Sequence, residues 1–115
     1  MNARAKRVLL DACVPEWLRR DLAEFDVQTA RHADLHRLSD PQLLQAIEGR
    51  FDVLVTLDFH IADQNRVGKR PYGVVALRTR DQSASAFRAA LPAIRRAILE
   101  VRPGEHRQIE LGTEK

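Results

Sequence analysis

The chain is poor in the residues that define several large classes of protein. Its 115 residues include a single cysteine, Cys13, which excludes an internal disulfide and fits a reducing compartment. No apolar run approaches the ~18 residues that suggest a membrane span, and no hydrophobic signal region follows the basic residues 1–7. We therefore expect a cytoplasmic protein with no membrane partner.

Lysine is also scarce, because sixteen of the nineteen basic residues are arginine. The formal net charge is +3, and the planar arginine fork binds phosphate in a bidentate way, so the composition fits a nucleic-acid partner. A codon-driven preference for arginine would give the same composition. The length and the 44% apolar content indicate one soluble domain over residues 1–115, with its core at about 7–111.

Short apolar runs alternate with amphipathic segments along the chain. Strands are predicted at 8–10, 26–30, 51–56 and 73–77, with a final edge strand at 108–111. Helices are predicted over 15–25, from Asp40 to Gly49, and from Ser83 or Ser85 to Val101, with Pro92 kinking or dividing the last one. This pattern predicts an α/β fold, with a mainly parallel β-sheet flanked by helices.

Three aspartates stand at the ends of predicted elements: Asp11, Asp40 and Asp58. In an α/β fold these places converge at the carboxyl edge of the sheet. Three converging carboxylates repel one another unless a cation joins them, which suggests a catalytic Mg²⁺ or Mn²⁺ site that hydrolyses phosphodiesters. Each aspartate also has an ordinary alternative: Asp40 can cap its helix, alone or with Ser39, and the other two can be turn residues.

Other polar residues surround this predicted edge. Thr56 points to the same side of its strand as Asp58, so its hydroxyl can orient a carboxylate, a water or a phosphate. It can equally be an ordinary β-branched strand residue. His60 is a weak ligand, a proton shuttle or a solvated loop histidine. Arg78 and Arg80 follow the fourth predicted strand, where they can bind the RNA phosphate backbone.

Two further patterns carry weaker signals. His32 and His36 are four residues apart, as zinc ligands on a helix can be, but their segment lacks a helical apolar stripe. Arg88, Arg95 and Arg102 recur every seven residues, which indicates either a solvated helix face or a nucleic-acid track.

The stretch Val8–Pro15 resembles the opening of the small PIN-like proteins, whose usual form is Leu-Leu-Asp-Glu-x-x-Pro. Ser39-Asp40 and the run Val53–Asp58 look like the second and third signatures of that family, and the resemblance extends over residues 7–109. It implies a PIN-like α/β domain, with Asp11, Asp40 and Asp58 around Mg²⁺ or Mn²⁺. It further implies a ribonuclease, often the toxin of a type II toxin–antitoxin pair similar to VapC toxins, with a small antitoxin as partner.

The chain departs from this family pattern at two positions. Ala12 stands where the family usually has Glu, and His60 stands where a second acidic residue often occurs, with Asp63 nearby but shifted. These departures favour an alternative in which the chain is a catalytically decayed PIN-like protein-interaction module. A phosphoacceptor signalling domain is a further alternative, but it needs a lysine after a late strand. Lys6, Lys69 and Lys115 are not placed there. The sequence is compatible with a homodimer.

Overall fold

One five-stranded sheet organises the chain, and all of its strands run parallel. The computed structural model describes residues 5–61, 67–79 and 83–111. The strands are β1 (Arg7–Leu10), β2 (Asp26–Thr29), β3 (Val53–Thr56), β4 (Gly73–Thr79) and β5 (His106–Leu111). Their order in the sheet is β2-β1-β3-β4-β5. The predicted α/β class with a parallel sheet is confirmed.

Four α-helices cover the sheet in the described part of the chain. They are α1 (Leu18–Asp21), α2 (Asp40–Ala46), α3 (Ala84–Ala89) and α4 (Leu91–Glu100), and a 3₁₀ turn spans Val67–Lys69. The hydroxyl of Ser83 caps α3 by accepting the Ala86 N–H at 3.2 Å. Pro92 lies in the first turn of α4, so the long predicted helix is divided at Ala90. Within the described ranges, no helix has both the length and the apolar character that a membrane span requires.

The core has one layer on each face of the sheet, because successive strand side chains point to opposite sides. Val8, Leu10, Val53, Val55, Val75 and Leu77 belong to the layer that contains α1, α3 and α4 residues such as Leu18, Phe87 and Ile94. Leu9, Leu54 and Val74 belong to the opposite layer, with Leu44, Ile47 and Tyr72. Burial on both faces explains why the strand sequences are continuously apolar.

Most elements differ from their predicted extents by a few residues: β3 begins two residues later, α2 ends three residues earlier and β5 begins two residues earlier. The first helix and β4 also differ. Only Leu18–Asp21 is helical within the predicted helix over 15–25, and the residues before it form tight turns through bonds such as Leu18 N–H to the Pro15 carbonyl at 3.2 Å. Leu22 and Phe25 are nevertheless buried, so the apolar spacing is satisfied without a longer helix. Strand β4 runs two residues beyond its predicted end, because β5 pairs with it as far as Thr79 and Leu111.

The strand order creates a switch point at the centre of the sheet. The chain passes from β1 outward to β2, then returns across β1 to β3 and continues outward in the other direction. The connections therefore diverge at the carboxyl ends of β1 and β3, which is where doubly wound folds of this order place their ligands. Asp11 directly follows β1, and Asp58 lies two residues beyond the end of β3.

Candidate functional site

Asp11 is held at the switch point by three hydrogen bonds. Its backbone N–H donates to the Val55 carbonyl at 2.9 Å, which extends the pairing of β1 with β3 by one residue. One carboxylate oxygen, Oδ2, accepts from the Thr56 hydroxyl at 2.8 Å, and the other accepts from the Ala12 N–H at 2.8 Å. The Asp11 carboxylate is therefore fixed in orientation.

Thr56 connects Asp11 to Asp58. Its side chain is fully buried, and its Oγ1 accepts from the Asp58 N–H at 3.1 Å while donating to Asp11. Asp58 then accepts from the His60 N–H at 3.2 Å through Oδ1, which turns the chain after β3. One buried hydroxyl thus ties the carboxyl ends of the two central strands together.

Asp40 is the first residue of α2, and the helix cap is its neighbour Ser39. The Ser39 hydroxyl accepts from the Gln42 N–H at 3.4 Å, and the Gln42 side chain accepts from the Ser39 N–H at 3.1 Å, which together form a capping box. The alternative role of Asp40 as the capping side chain is therefore wrong. Its carboxyl group instead lies near that of Asp58, whose proximity raises the pKa of Asp40.

The surroundings of Asp40 are electrostatically unfavourable for a second negative charge. Partial burial is the largest cause that raises the pKa of the Asp40 carboxyl, followed by the proximity of the Asp58 side chain and the negative charges of Asp58 and Asp11. The negative charges of Asp11 and Asp58 thus act on the Asp40 carboxyl, and we call these three residues the acidic site. A carboxyl pair of this kind is stabilised by a shared proton or by a cation.

The donor chemistry of the acidic site suits a hard divalent cation. Mg²⁺ takes oxygen ligands, and it usually keeps several waters beside one or two carboxylates. Asp40 and Asp58 supply such a carboxyl pair, with Asp11 close enough to act on Asp40 by its charge. As the side chains stand, no three His, Cys, Asp or Glu residues of the described ranges are grouped to hold a metal ion. Asp63, also expected to support this site, lies outside those ranges.

Arg78 and His60 lie beside the acidic site. Arg78 is within β4 and not after it, with its guanidinium 5.2 Å from the centre of the Phe59 ring and 3.7 Å from the Glu110 carboxylate. The exposed His60 has its ring edge-on to Phe59, with 5.6 Å between the ring centres. These contacts place Arg78 next to the loop that carries Asp58. Arg80 falls outside the described residues.

A basic cleft, not predicted from the sequence, lies at the carboxyl end of β2. It has a volume of about 330 Å³ and is lined by Glu16, Trp17, Arg19, Arg20, Thr29 and His32. The Arg19-Arg20 pair next to the only tryptophan was the available sequence signal. That pair alone could not reveal the cleft, because Thr29 and His32 reach it only through the pairing of β2 with β1.

Neither of the weaker sequence patterns forms, within the described residues, the arrangement that its spacing suggested. The segment of His32 and His36 is a series of turns and not a helix. Arg88 lies on α3, with its guanidinium 5.6 Å from the centre of the Trp17 ring, whereas Arg95 lies on α4 and pairs with Glu24 at 2.7 Å. The division between α3 and α4 therefore interrupts the arginine stripe.

Comparison with known proteins adds no relative to this description. The chain matched no family model, no curated protein and no solved structure. Its function is therefore inferred from the acidic site and from the sequence pattern.

Proposed function

We propose that the protein is a PIN-like ribonuclease that depends on Mg²⁺ or Mn²⁺. One observation carries this proposal: the Thr56 hydroxyl holds Asp11 and Asp58 together at the sheet edge, where both negative charges act on the Asp40 carboxyl although its helix is already capped by Ser39. Like charges at such a place raise the free energy of the folded state when the groups are ionised. Carboxyl groups perturbed in this way cluster at functional sites.

Each residue of the acidic site has a distinct role in this proposal. Asp40 and Asp58 hold the cation, and Asp11 completes the site as an oriented carboxylate. Thr56 is a positioning residue, because its hydroxyl fixes Asp11 and the backbone of Asp58 at the same time. A divalent ion held by these carboxylates would supply Lewis-acid chemistry, because such an ion can polarise a phosphodiester and lower the pKa of water.

The arginines near the site support an RNA substrate. The Arg78 guanidinium and its partner Glu110 are each about half exposed, and their 3.7 Å separation describes a weak surface pair. An incoming phosphate can therefore replace Glu110 as the partner of Arg78. Arg80 is proposed for the same task from its sequence position.

RNA cleavage by the purified protein tests this proposal. Wild-type protein with Mn²⁺ or Mg²⁺ should cut structured or unstructured RNA, and EDTA should abolish the cleavage. We expect Asp11→Asn, Asp40→Asn and Asp58→Asn each to slow cleavage by roughly 100-fold or more, since each removes a charge from the metal site.

The control variant for this assay is Asp26→Asn. Asp26 is exposed at the start of β2, on the opposite edge of the sheet, so the change removes the same charge outside the acidic site. Its cleavage rate should match that of wild type. Unchanged cleavage by Asp11→Asn would show that the acidic site is assigned to the wrong residues.

The resemblance to VapC-type toxins extends the proposal to a biological role. We infer a cytoplasmic toxin whose partner is a small antitoxin encoded next to it. Expression of the chain alone should arrest growth, and co-expression of a short upstream reading frame should restore it. If Asp40→Asn arrests growth as strongly as wild type does, toxicity does not depend on the acidic site.

Two other functions make different predictions. A decayed interaction module, favoured by Ala12 and His60, would neither cleave RNA nor respond to Mn²⁺. A phosphoacceptor domain would need a lysine at the carboxyl edge, but Lys6 binds the carbonyls at the end of α4 and Lys69 precedes β4. Incubation with a small phosphodonor, followed by intact mass measurement, should therefore show no added phosphoryl group.

A further inference from the structure

The basic cleft contains two arginines that the fold does not use. Six arginines of the described ranges form ion pairs with acidic side chains. Arg19 and Arg20 are exposed, and neither guanidinium has an ion-pair or hydrogen-bond partner within the described ranges. Two adjacent arginines whose donors are not used inside the protein are well suited to bind a phosphate.

Trp17 gives the same cleft an aromatic wall. The Trp17 ring is half-buried and packs edge-on against Phe87, with 5.8 Å between the ring centres. The Arg88 guanidinium lies 5.6 Å from the centre of the Trp17 ring. These contacts hold the indole in place before any ligand binds. Bases of single-stranded nucleic acids stack on such rings, and arginines nearby bind the backbone.

The cleft opens at the same edge of the sheet as the acidic site, one strand away. Thr29, which lines the cleft, pairs in register with Leu10, the residue before Asp11. Neighbouring strands are about 4.8 Å apart, but Thr29 shares the face of Leu10 while Asp11 points to the other face. The cleft and the acidic site therefore lie on opposite faces of the same sheet edge, and a strand that crosses this edge can contact both. The turn from Asp11 to Val14, closed by a 2.9 Å backbone hydrogen bond, leads directly from the acidic site to the segment of Trp17.

We infer that the basic cleft binds one nucleotide of a single-stranded RNA beside the bond that is cut. Arg19 and Arg20 bind its phosphate, Trp17 contacts its base, and His32 closes the rim. A volume of about 330 Å³ is within the range of clefts that bind small ligands. This inference rests on the proposed ribonuclease function, since it assigns the substrate strand a position relative to the acidic site.

A binding assay without metal tests this inference independently of RNA cleavage. A six-nucleotide single-stranded RNA is titrated into the protein in EDTA, and the fluorescence of Trp17, the only tryptophan, reports occupation of the cleft. The double variant Arg19→Gln/Arg20→Gln should bind roughly tenfold more weakly, as expected for lost charge-assisted phosphate contacts. The slope of log K against log salt should become shallower by about 0.7, since the two arginines contact one phosphate and each phosphate contact on a single strand contributes ~0.7.

The matched control is Arg96→Gln/Arg102→Gln, which removes two exposed arginines outside the basic cleft. Its dissociation constant should stay within about twofold of wild type, and its slope of log K against log salt should match that of wild type. Equal weakening in both double variants would mean that only net charge matters, and would overturn the inference. So would equal affinity for a duplex of the same sequence, or wild-type binding that leaves the Trp17 fluorescence unchanged.

The outcome for the cleft is independent of the outcome for the acidic site. A protein that cleaves RNA with Mn²⁺ but fails the binding test keeps the ribonuclease function and loses the nucleotide site. A protein that binds through the cleft but never cleaves shows the reverse. Should the double variant misfold, His32→Gln at the exposed rim should weaken binding while the melting temperature stays unchanged.

Discussion

Replacement of Asp40 by asparagine should stabilise the protein and at the same time slow the proposed RNA cleavage by roughly 100-fold or more. The asparagine side chain has nearly the same shape as that of aspartate, and its amide keeps a donor for the carboxylate of Asp58. The change removes the negative charge that burial, Asp58 and Asp11 all disfavour. A substitution that raises stability while it removes activity is expected at a functional residue that destabilises the folded state.

The size of the gain follows from the proximity of the two carboxyl groups. Two like charges 4 Å apart repel by about 1 kcal/mol in water and about 4 kcal/mol at the effective dielectric constant of a protein surface. Asp40 is only partly buried, so solvent screening favours the lower value. We expect a gain of about 1 kcal/mol, which corresponds to a melting temperature higher by roughly 4 °C in a domain of this size.

Thermal unfolding at pH 7 in EDTA measures this gain. Asp26→Asn is again the matched control, and its stability should lie within about 0.5 kcal/mol of wild type. An Asp40→Asn protein that melts at or below the wild-type temperature would refute the claim that the Asp40 charge is unfavourable.

The gain should also depend on pH in a defined direction. Because the folded state raises the pKa of Asp40, the protonated carboxyl is the favoured form, and the stability associated with it is lost as pH rises through the folded-state pKa. Below the ordinary aspartate pKa of about 3.9, Asp40 is protonated in both the folded and the unfolded chain. The difference in unfolding free energy between wild type and Asp40→Asn should therefore have its full size at pH 7 and disappear near pH 3.5.

Two further substitutions and one alkaline titration test contacts around this site and in the rest of the fold. Thr56→Val should cost about 1–2 kcal/mol in urea unfolding, because it removes the buried hydroxyl that binds Asp11, and an unchanged midpoint would contradict that role. Lys6→Met should lower the free energy of unfolding by about 1 kcal/mol, since the Lys6 ammonium donates to three carbonyls at the end of α4. Unchanged stability would mean that water satisfies these carbonyls equally well. Burial raises the pKa of Tyr72, whose hydroxyl donates to the Leu44 carbonyl at 2.7 Å. Tyrosinate absorbance of this single tyrosine should thus appear only as the protein unfolds at high pH, and earlier ionisation in the folded protein would contradict the buried hydrogen bond.

Parts of the fold that depend on burial could be predicted from the sequence. Leu9-Leu10 and Val53–Thr56 are continuously apolar or β-branched because both faces of β1 and β3 are covered, and their assignment as strands is confirmed. The segment 15–25 has helical apolar spacing but forms mostly turns, since packing requires only that Leu22 and Phe25 reach the core. Spacing alone cannot distinguish these outcomes.

The acidic site was predictable in its position but not in its contacts. Parallel strands bring the residues after β1 and β3 to one edge, so the neighbourhood of Asp11 and Asp58 followed from the topology. The Ser39-x-x-Gln42 capping box was visible in the sequence and could have assigned the cap to Ser39. The effect of Asp58 on the pKa of Asp40 was not predictable, because it depends on how α2 packs against the sheet.

Titration calorimetry with Mn²⁺ tests the central claim most directly. The wild-type protein should bind Mn²⁺ with a dissociation constant in the millimolar range or below. Asp40→Asn/Asp58→Asn should show no specific heat of binding, and Asp26→Asn should bind as wild type does. Binding that is absent from wild type, or that is equal in the double variant, would contradict the assignment of a divalent-metal site to Asp11, Asp40 and Asp58.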